Sequence, residues 1–326
     1  MRNNKEKYIF KEIKYNNIKD GNLLKYIALG FFDGVHIGHQ ALLKWCAEEA
    51  KLAGAISTVV LLDEHPEKVI NRLNNYSLLT TLTEKIEKIR KLGIQQIIIF
   101  NFDEYFSKIN AEYFIIEILL KKFNMGAVFA GYDYRFGFQK KGDIQLIKEL
   151  AINYNFKSYV MHPKTIIDNQ KISTTAIKEY IKKGDIAKAN ELLGYPYQVT
   201  GEVIHGDNRG NSVLSFPTAN LKIEPGKLLP NNGVYIGFTH YKGRKYNSLI
   251  NVGFKPTFKS EKENISVEVY IFNFGNDIYN KQIAISFIKK IRDERRFSDS
   301  SDLISQIKQD KLIADKYFNE HKQLNN

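Results

Sequence analysis

The chain has 326 residues, 43% of them apolar, and sets 48 Lys and Arg against 36 Asp and Glu for a formal net charge of +12. That length exceeds one ordinary core and predicts two domains. No run reaches the eighteen or so apolar residues of a membrane helix, and the polar start MRNNKEKY lacks a signal peptide's apolar stretch, so a cytoplasmic protein without a membrane partner is expected. One cysteine, Cys46, allows no internal disulfide and fits a reducing compartment. The lysines are scattered through Lys/Asn/Ile-rich stretches rather than gathered in a stripe, so nucleic acid is not the expected partner despite the charge. The sequence does not fix an oligomeric state; a monomer or weak homo-oligomer is the expectation.

In the first half, short apolar runs predict strands at 26–32, 56–62, 96–100, 127–131 and 157–161. Helical spacing predicts helices at 38–53, 83–92, 111–122 and 143–153. A βαβα rhythm implies a mostly parallel, Rossmann-like sheet covered on both faces, with ligands beyond the carboxyl ends of its strands.

After the first strand comes YIALGFFDGVHIGHQALL, residues 26–43. It breaks at Gly30 and at Asp33-Gly34, then resumes as a helix at Gly38. His36 and His39 are three apart and share a face if the helix has begun there. A helix N-terminus offers unpaired N–H groups and partial positive charge to phosphate. Two imidazoles add donors that can follow charge developing on a transferring phosphoryl group, and Gly30, Gly34 and Gly38 permit close backbone approach. The pair could instead be half of a metal site, but no third and fourth ligand lies at zinc-like spacing.

The fourth strand runs into Gly131-Tyr132-Asp133-Tyr134-Arg135-Phe136-Gly137, followed by Lys140, Lys141 and Gly142. A carboxylate, an arginine, aromatics and glycines crowded into one strand-end loop suit a planar ligand. Further on, Ser173 and Thr174 open a helix, where hydroxyls serve as N-caps or as phosphate contacts. From Tyr197 the texture becomes alternating, with strands predicted at 198–204, 233–241, 248–252, 265–272 and 282–287. A last helix is predicted at 301–318. Strands without intervening helices predict a small antiparallel barrel. Thr218 and Asn220, two apart on an extended segment, point the same way. Glu268 is either solvent-facing or aimed into a site as a base.

The stretch GxFDGxHxGHxxL resembles the nucleotidyltransferase superfamily signature, and His36-Ile37-Gly38-His39 matches the HIGH pattern of class I aminoacyl-tRNA synthetases. The ordered series GYDYRFG, ISTTAIK, LLGYPY, PTAN, NVGFKPTF, VEV and IRDERRF is similar to that of the bacterial bifunctional riboflavin kinase/FAD synthetases. The resemblance spans residues 26–307. It implies an FMN adenylyltransferase domain at 1–185, a linker at 186–197 and a riboflavin kinase domain at 198–326. On it, His36, His39 and Glu268 are catalytic. ATP and phosphate fall to Gly30, Phe32, Asp33, Gly34, Gly38, Ser173, Thr174, Lys178, Thr218 and Asn220. Flavin falls to Asn101, Asp133, Arg135 and Arg292, and Mg²⁺ to Thr218 and Asn220. Riboflavin, FMN, FAD and ATP are the implied small-molecule partners. Lys178 stands where the family has Arg, keeping charge but losing the bidentate fork, while Asn211, Ser215 and Asn280 change loops near the barrel site. Two other readings stand beside this one: a synthetase-like adenylate former, against which no KMSKS-like loop is present, and a flavin- or RNA-binding regulator with relic sites.

Overall fold

A computed structural model describes residues 9–15, 22–72, 76–162, 172–205, 218–255, 264–295, 297 and 299–321. The chain divides into two compact units, 1–172 and 173–326.

The first unit is built on a sheet ordered β1-β4-β3-β2-β5-β6. Its strands are β1 (Phe10–Lys14), β2 (Lys25–Leu29), β3 (Ile56–Leu62), β4 (Gln96–Phe100), β5 (Met125–Gly131) and β6 (Lys157–Met161). All pair in parallel except β1, which lies antiparallel on β4. The helices are α1 (Ile37–Leu52), α2 (Pro66–Ile70), α3 (Leu82–Arg90), α4 (Ala111–Tyr113) and α5 (Ile144–Tyr154). Strand β2 shows why the sheet is sandwiched: successive side chains point to opposite faces, and both faces are covered. Ile27 and Leu29 join Phe100, Phe114, Ile118 and Ile147 on one side. Tyr26 and Ala28 join Leu43, Cys46, Ile89 and Phe129 on the other. Each such aliphatic side chain, fully buried, contributes about 1.5–3 kcal/mol.

The expected strands and helices of this half are present, with ends shifted by a few residues. Strand β1 and helix α2 are additions. The predicted helix at 111–122 is α only at its start and continues as a π-helix, Phe114–Lys122, a rare form that often sits at functional sites.

The second unit opens with α6 (Thr174–Lys183) and α7 (Ile186–Leu193), followed by β7 (Tyr197–Ile204), β8 (Thr218–Ile223), β9 (Gly233–Tyr241), β10 (Arg244–Lys255), β11 (Asn264–Ile271), β12 (Gln282–Arg292) and α8 (Ser300–Glu320). The six strands close into a barrel in the order β10-β11-β8-β7-β12-β9, every pairing antiparallel. Helix α8 covers one patch of its outer face, setting Ala314 and Phe318 against Val234, Ile236, Phe238 and Leu249. Strand β8, which hydropathy does not pick out, completes the closure.

Candidate functional sites

In the first unit, the connection from β2 leads to β3 on one side, and β5 flanks β2 on the other. Strand order reverses at β2, the place where doubly wound sheets bind ligands. Beyond β2 the backbone is tightly folded. A Cβ on Gly30 would lie 2.8 Å from the Phe32 ring, and Gly34 has φ +77°, a conformation glycine adopts without cost. Phe32 and Asp33 are buried, at 1% and 3% exposure. Asp33 Oδ1 accepts from the Leu79 and Thr80 amides at 2.8 and 3.1 Å, which ties the loop to the segment before α3.

His36 is the N-cap of α1 rather than part of its first turn, and its Nδ1 accepts from the His39 amide at 3.3 Å. The two rings nevertheless stack, with centroids 3.6 Å apart, and Phe32 packs edge-on against His39. Burial drives the His36 pKa down to about 4, against opposing pulls from Asp33 and Asp133. Burial, then His36 and Lys85, holds His39 well below the usual histidine value. Both imidazoles are therefore neutral at pH 7. With Nδ1 of His36 accepting, its proton sits on Nε2, a donor aimed away from the helix cap. Nδ1 of His39 is buried and makes no hydrogen bond among the described residues.

Lys85 was not legible as a site residue. It is 2% exposed, donates to the Phe31 carbonyl at 2.7 Å and lies 3.7 Å over the Phe31 ring, so it clamps the loop that carries the histidines. Asn101 is oriented too: its Nδ2 donates to Asp63 Oδ2 at 2.8 Å. Asp133 lies within electrostatic reach of His36.

The carboxyl edge of the sheet also holds a cavity of about 380 Å³, walled by Phe102, Phe106, Phe114, Tyr134 and Phe136. Gly30, Phe31, Arg135 and Lys140 line it as well. An apolar cleft of this size with a few polar groups is the form of a small-molecule site.

Ser173, Thr174 and Lys178 belong to the second unit, at the head of α6. Ser173 Oγ accepts from the Ala176 amide at 3.2 Å, an N-cap.

On the barrel, register places the polar residues. Asn220 pairs with Glu268, and Glu268 with Asn251, across three adjacent strands. Direct partners share a face, so these three form one row. Thr218 pairs with Tyr270 on the same face, and Tyr270 packs beside α8. Their neighbours Val267, Val269, Ile250 and Val252, each at most 2% exposed, point into the barrel. Glu268 therefore stands on the outer face, half-buried, beside the amides of Asn220 and Asn251. Thr218 also lines a cavity of about 330 Å³ with Val203, Ala219, Val269 and Asp277, a cavity that Glu268, Asn220 and Asn251 do not line.

Arg292, at the end of β12, is gripped by Asp310 of α8. Nε and Nη2 donate to its carboxylate at 2.9 and 2.7 Å, and Nη1 to the Asp293 carbonyl at 3.0 Å. The lead-in at 209–217 and the segment 256–258, both expected near the barrel site, lie outside the described residues.

Family models match each half: FAD synthetase at residues 20–176 and riboflavin kinase at 193–318. The bifunctional riboflavin kinase/FMN adenylyltransferase of Buchnera aphidicola subsp. Schizaphis graminum is 37% identical over 306 residues, 93% of this chain and 97% of the relative. That of Bacillus subtilis is 35% identical over 304 residues, covering 92% and 95%. A crystal structure described as a macrolide-efflux protein from Streptococcus pneumoniae superposes with a TM-score of 0.79 at 29% identity, covering 89% of this chain and 94% of that one. Efflux is said of that protein; among the described residues here, no helix is long and apolar enough to cross a membrane. The fold and the two matches define a class in which an α/β nucleotidyltransferase half precedes a riboflavin-kinase barrel. The chain belongs to the bifunctional riboflavin kinase/FMN adenylyltransferase family.

Proposed function

We propose that this chain makes FMN from riboflavin and ATP on its barrel, and FAD from FMN and ATP in its first unit. The observation that carries the reading is that each unit has its own polar constellation suited to one of the two transfers: stacked neutral imidazoles at the start of α1 in one, the Asn220–Glu268–Asn251 row in the other.

For the kinase step, Glu268 takes the proton from the terminal ribityl hydroxyl. That oxygen attacks the γ-phosphorus, and ADP leaves. The Thr218 hydroxyl and Asn220 amide are hard oxygen donors on one face, which fits a Mg²⁺ ion that takes its other ligands from phosphates and water. When bound, Mg²⁺ offsets the phosphate charge. Arg292, held rigid by Asp310, presents a fixed cation to flavin or nucleotide.

For the adenylyl step, a phosphate oxygen of FMN attacks the α-phosphorus and pyrophosphate leaves. FMN phosphate is already anionic near neutral pH, so no general base is needed. The loop from Gly30 through Phe32, Asp33 and Gly34 to Gly38 shapes the approach for ATP phosphates. The His36 Nε2–H and His39 donate to the charge that develops. Asn101, Asp133 and Arg135 hold the flavin. We propose a monomer or weak homo-oligomer in the cytoplasm, where the buried Cys46 thiol, its pKa pushed up to about 12 by burial, stays inert.

The test is a product assay with riboflavin, ATP and Mg²⁺ that resolves FMN and FAD over time. Glu268→Gln is expected to cut riboflavin phosphorylation by about 10²–10⁴-fold while FMN adenylylation persists. His36→Ala is expected to cut adenylylation by about 10²–10³-fold while FMN still forms. With riboflavin and FMN supplied in separate reactions, equal loss of both steps in either variant would refute the two-site assignment.

A further inference from the structure

The aromatic cavity of the first unit is lined by two cations, and each meets a carboxylate differently. Arg135 pairs with Asp143. That carboxylate also caps α5, accepting from the Leu146 amide at 3.0 Å, so the pair is pinned to a helix end. Lys140 pairs with Glu67 instead, Nζ to Oε1 at 2.8 Å, and Glu67 lines the same cavity. The other oxygen of Glu67 accepts from Asn71. The Lys140 and Glu67 side chains are 64% and 31% exposed. An ion pair in that setting is worth about 0.2–1 kcal/mol and gives way to a stronger anion.

The turn that presents Lys140 has an unusual backbone. Gln139 and Lys140 both adopt left-handed backbone angles, φ +55° and +57°, which non-glycine residues seldom take outside functional or tightly constrained turns.

The pair also faces the histidine loop. Phe31, in the cavity wall, packs edge-on against His65, 4.4 Å between centroids. His65 caps α2 by accepting from the Glu67 amide at 3.1 Å. Burial, and after it the carboxylates of Asp33 and Glu67, push the Tyr76 pKa up to about 12. Glu67 is thus linked to the histidine loop through His65 and Phe31, and Lys140 through its pair with Glu67.

This inference rests on the reading of the first unit as an FMN adenylyltransferase. FMN differs from riboflavin only by a phosphate, largely dianionic at pH 7. We propose that Lys140 is the specificity-determining residue that distinguishes phosphorylated from unphosphorylated flavin, leaving Glu67 for a phosphate oxygen when FMN enters. Glu67 acts as the placeholder anion: it keeps the ammonium turned to the cavity while empty and sets the threshold a ligand must exceed. An unphosphorylated flavin has nothing to exchange for it and binds more weakly than FMN, so the kinase substrate competes poorly for the adenylyl site.

The experiment uses the full chain and two flavins: FMN as substrate, and 5′-deoxyriboflavin, which has no hydroxyl for the barrel to phosphorylate, as competitive inhibitor of FAD formation. Lys140→Met is expected to raise the KM for FMN about tenfold, or about 1.4 kcal/mol. Its kcat and the Ki of 5′-deoxyriboflavin should stay within about twofold, and Lys140→Arg should recover most of the loss. Glu67→Gln, which removes the competing anion, should lower the KM for FMN about threefold. An unchanged KM in Lys140→Met, a parallel rise in KM and Ki, or a raised KM in Glu67→Gln would each overturn the inference. A wild-type thermal transition in Trp45 emission checks that the first unit of each variant is folded. Failure of the wild type to form FAD at all would instead overturn the reading of the first unit, and the inference with it.

Discussion

The two candidate sites are held in place in opposite ways. In the first, the donors are withdrawn from water: His36 is 7% exposed, Phe32 and Asp33 less, and both imidazoles are stripped of charge by burial. The loop must then be tied from several sides, by Leu79 and Thr80 on Asp33 and by Lys85 on Phe31. In the second, Asn220, Glu268 and Asn251 remain half-buried on the outer face of a barrel, and strand register alone aligns them. A site on a pleated surface inherits its geometry from ladder hydrogen bonds. A site on a strand-to-helix loop needs a dedicated set of side chains to hold it still.

That contrast predicts where each unit is fragile. The barrel's largest liability is the Arg292–Asp310 pair, because Asp310 is 2% exposed and removing it leaves a largely covered guanidinium without its carboxylate. Asp310→Ala is expected to cost about 3–5 kcal/mol, while Arg292→Met/Asp310→Leu together recover most of it. Trp45, the single tryptophan, lies in α1 against Phe129 and Tyr159, so its emission reports the first unit. The thermal transition seen by riboflavin phosphorylation should fall in Asp310→Ala while the Trp45 transition stays. A joint fall would break the picture of separate supports.

The next effect belongs to the first unit. The folded pKa of His36 lies below its unfolded value of about 6.5, so between about 6.5 and 4 the unfolded chain binds more protons. Stability present above pH 6.5 is therefore lost as pH falls toward 4, by up to about 3 kcal/mol. Urea unfolding followed by Trp45 at pH 7 and 4.5 should show the loss in the wild type and a smaller one in His36→Asn. Smallest is Gly30→Ala, whose methyl meets the Phe32 ring. About 1–3 kcal/mol and slower FAD formation are expected, with FMN formation unchanged. If Gly30→Ala slowed both products alike, the loop would not be the private support of one site.

How much of this was readable from residues alone follows the same division. The parallel strands and their covering helices were legible because each is a local apolar pattern. Strand β1 was not: FKEIK has no run of its own and gains its place only by pairing with β4, where Gln96 Nε2 reaches Glu12 at 3.0 Å. Strand β8 was read only as an extended segment, since TANLKI puts polar side chains on its outer face. Helix α2 buries nothing and so leaves no periodicity. The histidine pair could be found, but not that it stacks and stays neutral, because desolvation is tertiary. Lys85 reads as one more solvated lysine in TEKIEKIR until the fold sets it under Phe31. Arg292 was found by its motif, whereas its partner Asp310, eighteen residues on, belongs to a helix with no motif at all.

The order of strands has a further consequence, for self-association. A closed barrel offers no free ladder groups, so among the described residues the open strand edges are those of β1 and β6. Both are only five residues long. On β1, Lys11 and Lys14 stay exposed while Ile13 turns inward against the core, and on β6 Lys157 is exposed at the strand start. Short, lysine-bearing edges repel another chain's backbone. Part of the protein's excess of positive charge thus guards the two places where one copy would otherwise add to another's sheet.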